Sequence, residues 1–286
     1  MLNLQKKKAM NFNPYPYNDA QINERIDTLT AVKPEKEAWN KAMQLIFNCI
    51  DLTTLEATDN ADRIAGFCEK ALAYVDEGFS VAALCIYSPF VGQAKALVKH
   101  TGIRLATVAC AFPTGQMPLE IKLKEVEYAV AQGADEIDMV ISRGTFLQGD
   151  YETVQHEIEA VKKVCGNAHL KVILETGELG SVDNIRKASE IALLAGADFI
   201  KTSSGKATPA ATLPAAMVML DTIAEFYEKT GRKVGFKPAG GIADPETAFK
   251  YYLLVKHISG EKWLNNKFFR IGASRLADKI FAIIKA

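Results

Sequence analysis

The chain has 286 residues, 49% of them hydrophobic, with 34 lysines and arginines against 34 aspartates and glutamates. That composition belongs to a folded globular protein rather than a disordered one. A formal charge of zero gives no electrostatic basis for holding nucleic acid or a membrane surface, and no apolar run approaches the ~20 residues of a membrane-spanning helix.

Residues 1–35 are polar and carry Pro14, Pro16 and Pro34. They read as an N-terminal extension with one helix around Asp19–Val32, and residues 36–286 as one further domain. No apolar segment of signal-peptide length follows the basic start. Cys49, Cys68, Cys85, Cys110 and Cys165 are odd in number and form no C-x-x-C pair, so reduced thiols in the cytoplasm are expected.

Lys36–Phe47 is periodic through Trp39, Met43 and Ile46 and predicts a helix. Short apolar runs and longer amphipathic stretches then alternate. The runs are Phe47–Asp51, Val81–Tyr87, Arg104–Ala111, Glu136–Ile141, Leu170–Glu175, Phe199–Thr202, Val234–Lys237 and Phe269–Gly272. The helical stretches are Arg63–Val75, Gln93–His100, Pro118–Gln132, Tyr151–Val164, Val182–Leu194, Pro209–Tyr227, Pro245–Lys256 and Ser274–Lys285. The centres of the runs fall 24 to 36 residues apart, the length of a βα unit. The runs are continuously apolar, as strands buried on both faces are. The pattern predicts an α/β protein, a (β/α)₈ TIM barrel with an N-terminal helical extension. A doubly wound open sheet is the alternative; it is weakened because no G-x-G-x-x-G follows the first run.

Barrel chemistry sits at the C-terminal ends of the strands. There the sequence puts Asp51, Cys85, Asp138, Glu175, Lys201, Lys237 and Gly272. A lysine inside an apolar strand is costly to charge, and a second cation nearby lowers its pKa further. Each lysine alone could snorkel or pair with a carboxylate. Lys201 and Lys237 on adjacent strands, with Asp138 across the barrel, point instead to imine chemistry. Gly205, Gly240, Gly241 and Gly272 follow the last three strands, and Ser274 is placed to cap the final helix. Such loops can cradle a phosphate. Ser203–Ala207 is no Walker A loop, since Ala207 stands where a Ser or Thr would bind Mg²⁺. His100, His156, His169 and His257 are scattered, so no metal or other cofactor is expected, although Asp51, Asp138 and Glu175 could form an acidic site. Cys85 reads as a buried hydrophobe with no histidine to activate it.

Seven segments together resemble the 2-deoxyribose-5-phosphate aldolase family. They are Ile50–Leu55, Ala83–Tyr87, Gly133–Asp138, Lys171–Leu179, Gly196–Lys206, Val234–Gly241 and Phe269–Ser274. The resemblance implies a class I, Schiff-base aldolase on a (β/α)₈ barrel. It would cleave 2-deoxy-D-ribose 5-phosphate reversibly to acetaldehyde and D-glyceraldehyde 3-phosphate. By that resemblance Lys201 forms the imine, Lys237 keeps its amine neutral, and Asp138 acts with water and Lys237 in proton transfer. Asp51 and Cys85 match pocket positions, and Lys171 matches the polar network beneath. Ser204, Gly205, Lys206, Gly240, Gly241, Gly272, Ala273 and Ser274 match the phosphate loops. The partners implied are a small sugar phosphate and aldehydes, with a homodimer or homotetramer expected.

The sequence departs from the family pattern in three places. Ala243 stands where many members have arginine, and Arg275 where Ser or Thr is usual. Either Arg275 supplies the missing cation, or phosphate is held weakly and unphosphorylated aldehydes are favoured. No tyrosine follows Tyr252, whereas some members end in one thought to assist proton transfer. Competing readings are a transaldolase-type enzyme, a metal-dependent aldolase or isomerase, and a non-catalytic sugar-phosphate binder.

Overall fold

The computed structural model describes residues 10–286. Its elements in chain order are α1 (Asp19–Thr30), α2 (Lys36–Asn48), β1 (Ile50–Thr53), α3 (Ala61–Asp76), β2 (Ala83–Tyr87), α4 (Val91–Leu97), β3 (Arg104–Ala109), α5 (Leu119–Ala131), β4 (Glu136–Val140) and α6 (Arg143–Leu147). They continue with α7 (Tyr151–Val164), β5 (His169–Ile173), α8 (Val182–Leu194), β6 (Phe199–Lys201), α9 (Leu213–Thr230), β7 (Gly235–Lys237), α10 (Pro245–Ile258), β8 (Ile271–Ala273) and α11 (Leu276–Lys285).

The strands are parallel and pair in the order β7-β6-β5-β4-β3-β2-β1-β8. Bridges Phe236–Phe269 and Ala239–Gly272 join the two ends of that order. There the Phe236 N–H donates to the Phe268 carbonyl at 2.8 Å and the Arg270 N–H to the Phe236 carbonyl at 3.0 Å. The sheet therefore closes on itself as a barrel, which rules out the open doubly wound alternative.

Some element boundaries moved for local reasons. Phe47 packs from the last turn of α2 rather than opening β1, because the helix persists through Asn48. Phe269 and Arg270 precede β8. Helix α9 starts at Leu213 instead of Pro209: the Thr212 side chain accepts the Ala215 N–H, and Pro214 lies in the first turn. Helix α6 has five residues, too few for periodicity to separate it from a loop.

Ahead of the barrel, Asn18 and Gln21 form a capping box that starts α1. Its buried stripe is Ile22 and Ile26, one turn apart, and the helix packs against α9 and α10. The segment before it is pinned to α9. Tyr15 donates to Asp221 at 2.7 Å, Arg25 forks onto the same carboxylate at 2.7 and 3.0 Å, and the Asn13 N–H meets Glu225 at 2.7 Å.

Between strands and helices lies the main apolar core, with Ile50, Leu52, Leu84, Ile86 and Leu105 facing outward into it. The barrel interior differs. Leu55, Ala83, Cys85, Ala106 and Val108 form a small second cluster there. Small residues on β2 and β3 leave volume inside the ring, and long lysine and arginine side chains fill it from the opposite strands.

Candidate active site

Alternation along β4 sends Glu136 and Asp138 to the same face, the barrel interior. Parallel register then sets Lys171 beside Asp138 and Lys201 beside Lys237. Lys201 Nζ lies 2.8 Å from Asp138 Oδ2, and Lys237 Nζ lies 2.7 Å from that same oxygen. Lys171 Nζ takes the other oxygen at 2.8 Å and reaches Glu136 at 2.5 Å. Lys237 also sits 2.5 Å from Asp51 Oδ2, which is held by proximity of charge rather than by an aligned hydrogen bond. Arg270 closes the network below, bonding Glu136 through both terminal nitrogens at 3.0 and 2.7 Å and Asp51 at 2.6 Å.

Four cations, Lys171, Lys201, Lys237 and Arg270, thus face three carboxylates, Asp51, Glu136 and Asp138, and all seven are buried. Burying charge is costly, and the cost falls unequally on the three lysines. Burial lowers the pKa of Lys201, with Lys237 adding to the fall and Asp138 opposing it, and the net direction is down. Burial also works against the charges on Lys171 and Lys237, yet their carboxylate neighbours win and both pKa values rise. Asp138 is held well below the usual carboxylate range: burial disfavours its charge, but Lys171, Lys201 and Lys237 outweigh it. The same balance lowers Asp51, through Lys237, Arg270 and Lys171, and Glu136, through Lys171 and Arg270. Burial raises the pKa of the Cys85 thiol, which leaves it neutral.

A cavity of about 190 Å³ opens at the C-terminal ends of β6, β7, β8 and β1. Ser204, Gly205, Lys206, Gly240, Gly241, Gly272, Ala273 and Ser274 all line it, and so do Ala243 and Arg275. Lys201 is the member of the ionic cluster that reaches the cavity wall. Asp51, Cys85, Asp138, Lys171 and Lys237 are fully buried beside and beneath it. Glycine is required at two of these positions. A Cβ on Gly240, where φ is +86°, would meet the Ala210 Cβ at 2.7 Å; one on Gly272 would meet the Ala239 Cβ at 2.8 Å and Lys237 Cε at 3.2 Å. Ser274 does not cap the final helix. Arg275 occupies that position with no side-chain cap bond, so the first N–H groups of α11 stay unclaimed by a side chain at the cavity rim.

Glu175 sits apart from Asp51 and Asp138. Its carboxylate accepts the Ser204 N–H at 3.2 Å, while the other two are taken up by lysines and Arg270. A larger cavity, about 780 Å³, lies between the N-terminal segment and the starts of α8 and α9, and none of the buried lysines lines it.

Glu136 and Arg270 are the members of the network that residue-by-residue reading passed over. Both carried a signal. Glu136 is two residues from Asp138 in a buried strand, and Arg270 interrupts the apolar run Phe269–Ile271.

A family model described as DeoC/LacD family aldolase matches residues 45–273. The chain is 44% identical over 277 residues to the deoxyribose-phosphate aldolases of Bos taurus and Homo sapiens, covering 92% of this chain and 87% of each relative. It is 43% identical over 252 residues to the deoxyribose-phosphate aldolase of Agrobacterium fabrum, covering 87% of this chain and 94% of that one. Among solved structures, "QR15, an Aldolase" superposes with a TM-score of 0.67 at 28% identity, covering 83% of this chain and 96% of that one.

Proposed function

The chain belongs to the DeoC/LacD family of aldolases, and from that premise we propose that it cleaves 2-deoxy-D-ribose 5-phosphate to acetaldehyde and D-glyceraldehyde 3-phosphate through an imine on Lys201. One observation carries the assignment. Lys201 is the buried lysine whose pKa falls and also the one that lines the cavity. Its neutral amine adds to the aldehyde carbon of the open-chain sugar, and the carbinolamine takes up one proton from cavity water and loses water to give the protonated imine. Cleavage between C2 and C3 then sends the bonding pair toward the imine nitrogen and forms an enamine. The C3 hydroxyl proton passes to water in the cavity as glyceraldehyde 3-phosphate departs, and that water returns a proton to the enamine carbon. Protonation of the enamine carbon and hydrolysis release acetaldehyde and regenerate the amine.

In this reading Lys237 acts by charge. It stays protonated between Asp51 and Asp138, so the Lys201 amine is the one that goes neutral. Asp138 stays ionised and contacts both lysines, which suits it to moving protons between them and a water in the cavity. The glycine turns, Lys206, Arg275 and the uncapped start of α11 suit the phosphate. Arg275 on the cavity wall favours a phosphorylated substrate over the neutral-aldehyde alternative. Five free, buried cysteines accord with a reducing cytoplasm, and a homo-oligomer is part of the proposal.

The test is to incubate the protein with acetaldehyde and borohydride and map the adduct by peptide mass spectrometry. An ethyl group on Lys201, absent from Lys201→Ala, is the expected result. Folded protein without an adduct at that residue would overturn the assignment.

A further inference from the structure

The loop after β5 is built around a buried carboxylate that the reaction scheme does not use. Glu175 is 1% exposed and adopts a left-handed backbone with φ of 55°, a conformation that a residue other than glycine takes at a cost. Both of its oxygens lie 3.2 Å from the Ser204 backbone nitrogen. Ser204 Oγ in turn accepts the Lys206 N–H at 3.0 Å. One bifurcated hydrogen bond therefore ties Glu175 to the turn that presents Ser204, Gly205 and Lys206 to the cavity, and a second bond within the turn holds its shape. Arg143 backs the carboxylate from α6 at 3.8 Å, and is itself fixed by the Pro113 carbonyl at 2.8 Å and Glu178 at 2.5 Å. The two loops also touch directly. A Cβ on Gly177 would fall 1.9 Å from the Pro209 carbonyl oxygen, so the loop after β6 rests on the loop after β5.

We propose that Glu175, held by Arg143, is a positioning residue that fixes the Ser204–Lys206 turn and thereby sets the preference for a phosphorylated over an unphosphorylated substrate. The inference rests on the aldolase reading above. Its physical content is that a buried N–H loses its only acceptor when Glu175 is truncated. The turn then relaxes away from the anion, while Lys201, Lys237 and Asp138, none of which touches Glu175, keep their geometry.

Kinetics of the wild type, Glu175→Gln, Glu175→Ala and Arg143→Ala are compared on 2-deoxyribose 5-phosphate and on 2-deoxyribose. Inhibition of the second reaction by inorganic phosphate is measured in parallel. For Glu175→Ala, kcat/KM on the phosphorylated sugar is expected to fall at least about tenfold, mainly through KM, with inhibition by phosphate weakened similarly, a change of ~1.4 kcal/mol in anion binding. Turnover of 2-deoxyribose should change less than about threefold. Glu175→Gln keeps an acceptor for the Ser204 N–H and should recover most of the loss. Arg143→Ala, a change at a more exposed residue, should shift the same ratio in the same direction and serves if Glu175→Ala does not fold. Equal losses on both sugars, or an unchanged ratio in the folded variants, would overturn the positioning role while leaving the aldolase reading intact. A wild type that cleaves neither sugar would overturn both.

Discussion

Lys201 and Lys237 place their ammonium nitrogens 2.8 and 2.7 Å from one and the same oxygen, Asp138 Oδ2. Two cations sharing one acceptor in a buried site repel each other, and the carboxylate cannot neutralise both. Lys237 has a second carboxylate partner in Asp51, and Lys201 has none among the described residues. That asymmetry accords with a pKa that falls for Lys201 and rises for Lys237, and it follows from which strand each lysine occupies.

Replacing Lys237 with Met removes a cation that lowers the Lys201 pKa and leaves the shared Asp138 oxygen to Lys201. The Lys201 pKa is expected to rise, so the ascending limb of the kcat/KM–pH profile moves to higher pH. Activity at neutral pH should fall by roughly 10²-fold or more, the scale of a lost acid–base contribution. The rate of borohydride trapping by acetaldehyde, followed against pH, is the check. A lower plateau with an unmoved limb would contradict the charge mechanism.

The same network predicts how stability depends on acid. Asp51, Glu136 and Asp138 all have folded pKa values below their ordinary ones. The unfolded chain therefore binds protons near pH 4 that the folded one refuses. Their contribution is fully present above about pH 5 and is lost as pH falls through the folded values. Each carboxylate adds up to about 1.4 kcal/mol per pH unit to that slope. Urea midpoints between pH 5 and pH 3 should fall steeply, and Asp51→Asn should flatten the curve. Parallel curves for the two proteins would argue against it.

The barrel was legible because eight apolar runs at βα spacing leave few other folds open. The ionic cluster was legible only in part. Lys201, Lys237 and Asp138 stand out as charges in apolar strands, and Lys171 was placed only by family resemblance. Glu136 and Arg270 become partners only when ring closure sets β4 and the residue before β8 on opposite walls of one interior, a non-local contact that no spacing encodes. The misplaced cap at Ser274 has a similar origin. A Ser before a helical pattern is a good local signal, but here the chain at that point is lining a cavity, and helix α11 begins beyond Arg275.

Packing inside the barrel gives a further prediction. A Cβ on Gly235 would lie 2.2 Å from the Phe199 ring. Gly235→Ala should destabilise the protein by about 1–3 kcal/mol, the usual cost of overpacking a filled core. Phe199→Leu on its own should leave a void and also destabilise. Combined, the two should be less destabilising than the sum of the single changes, because the smaller side chain accepts the new methyl. Chemical denaturation of the four proteins would show this, and additive effects would mean the contact is not what limits Gly235.

Asp221 fastens the N-terminal segment to the barrel. Its carboxylate takes the Tyr15 hydroxyl and both terminal nitrogens of Arg25, while Glu225, one turn along α9, takes the Asn13 N–H and pairs with Arg186. The buried apolar residues of α1 are Ile22 and Ile26, with Leu29 partly buried beside them, and the polar clamp adds to that attachment. Asp221→Ala strands the Tyr15 hydroxyl and the Arg25 fork together. It should cost about 2 kcal/mol locally, near the middle of the range for hydrogen bonds to charged groups. The Lys201, Lys237 and Asp138 cluster makes no bond to Asp221, Tyr15 or Arg25, so that loss should open the segment without disabling the barrel. Limited proteolysis is expected to cut within residues 10–35 faster in the variant, with borohydride trapping on Lys201 unchanged. Cleavage at the wild-type rate would place the attachment in the apolar contacts instead.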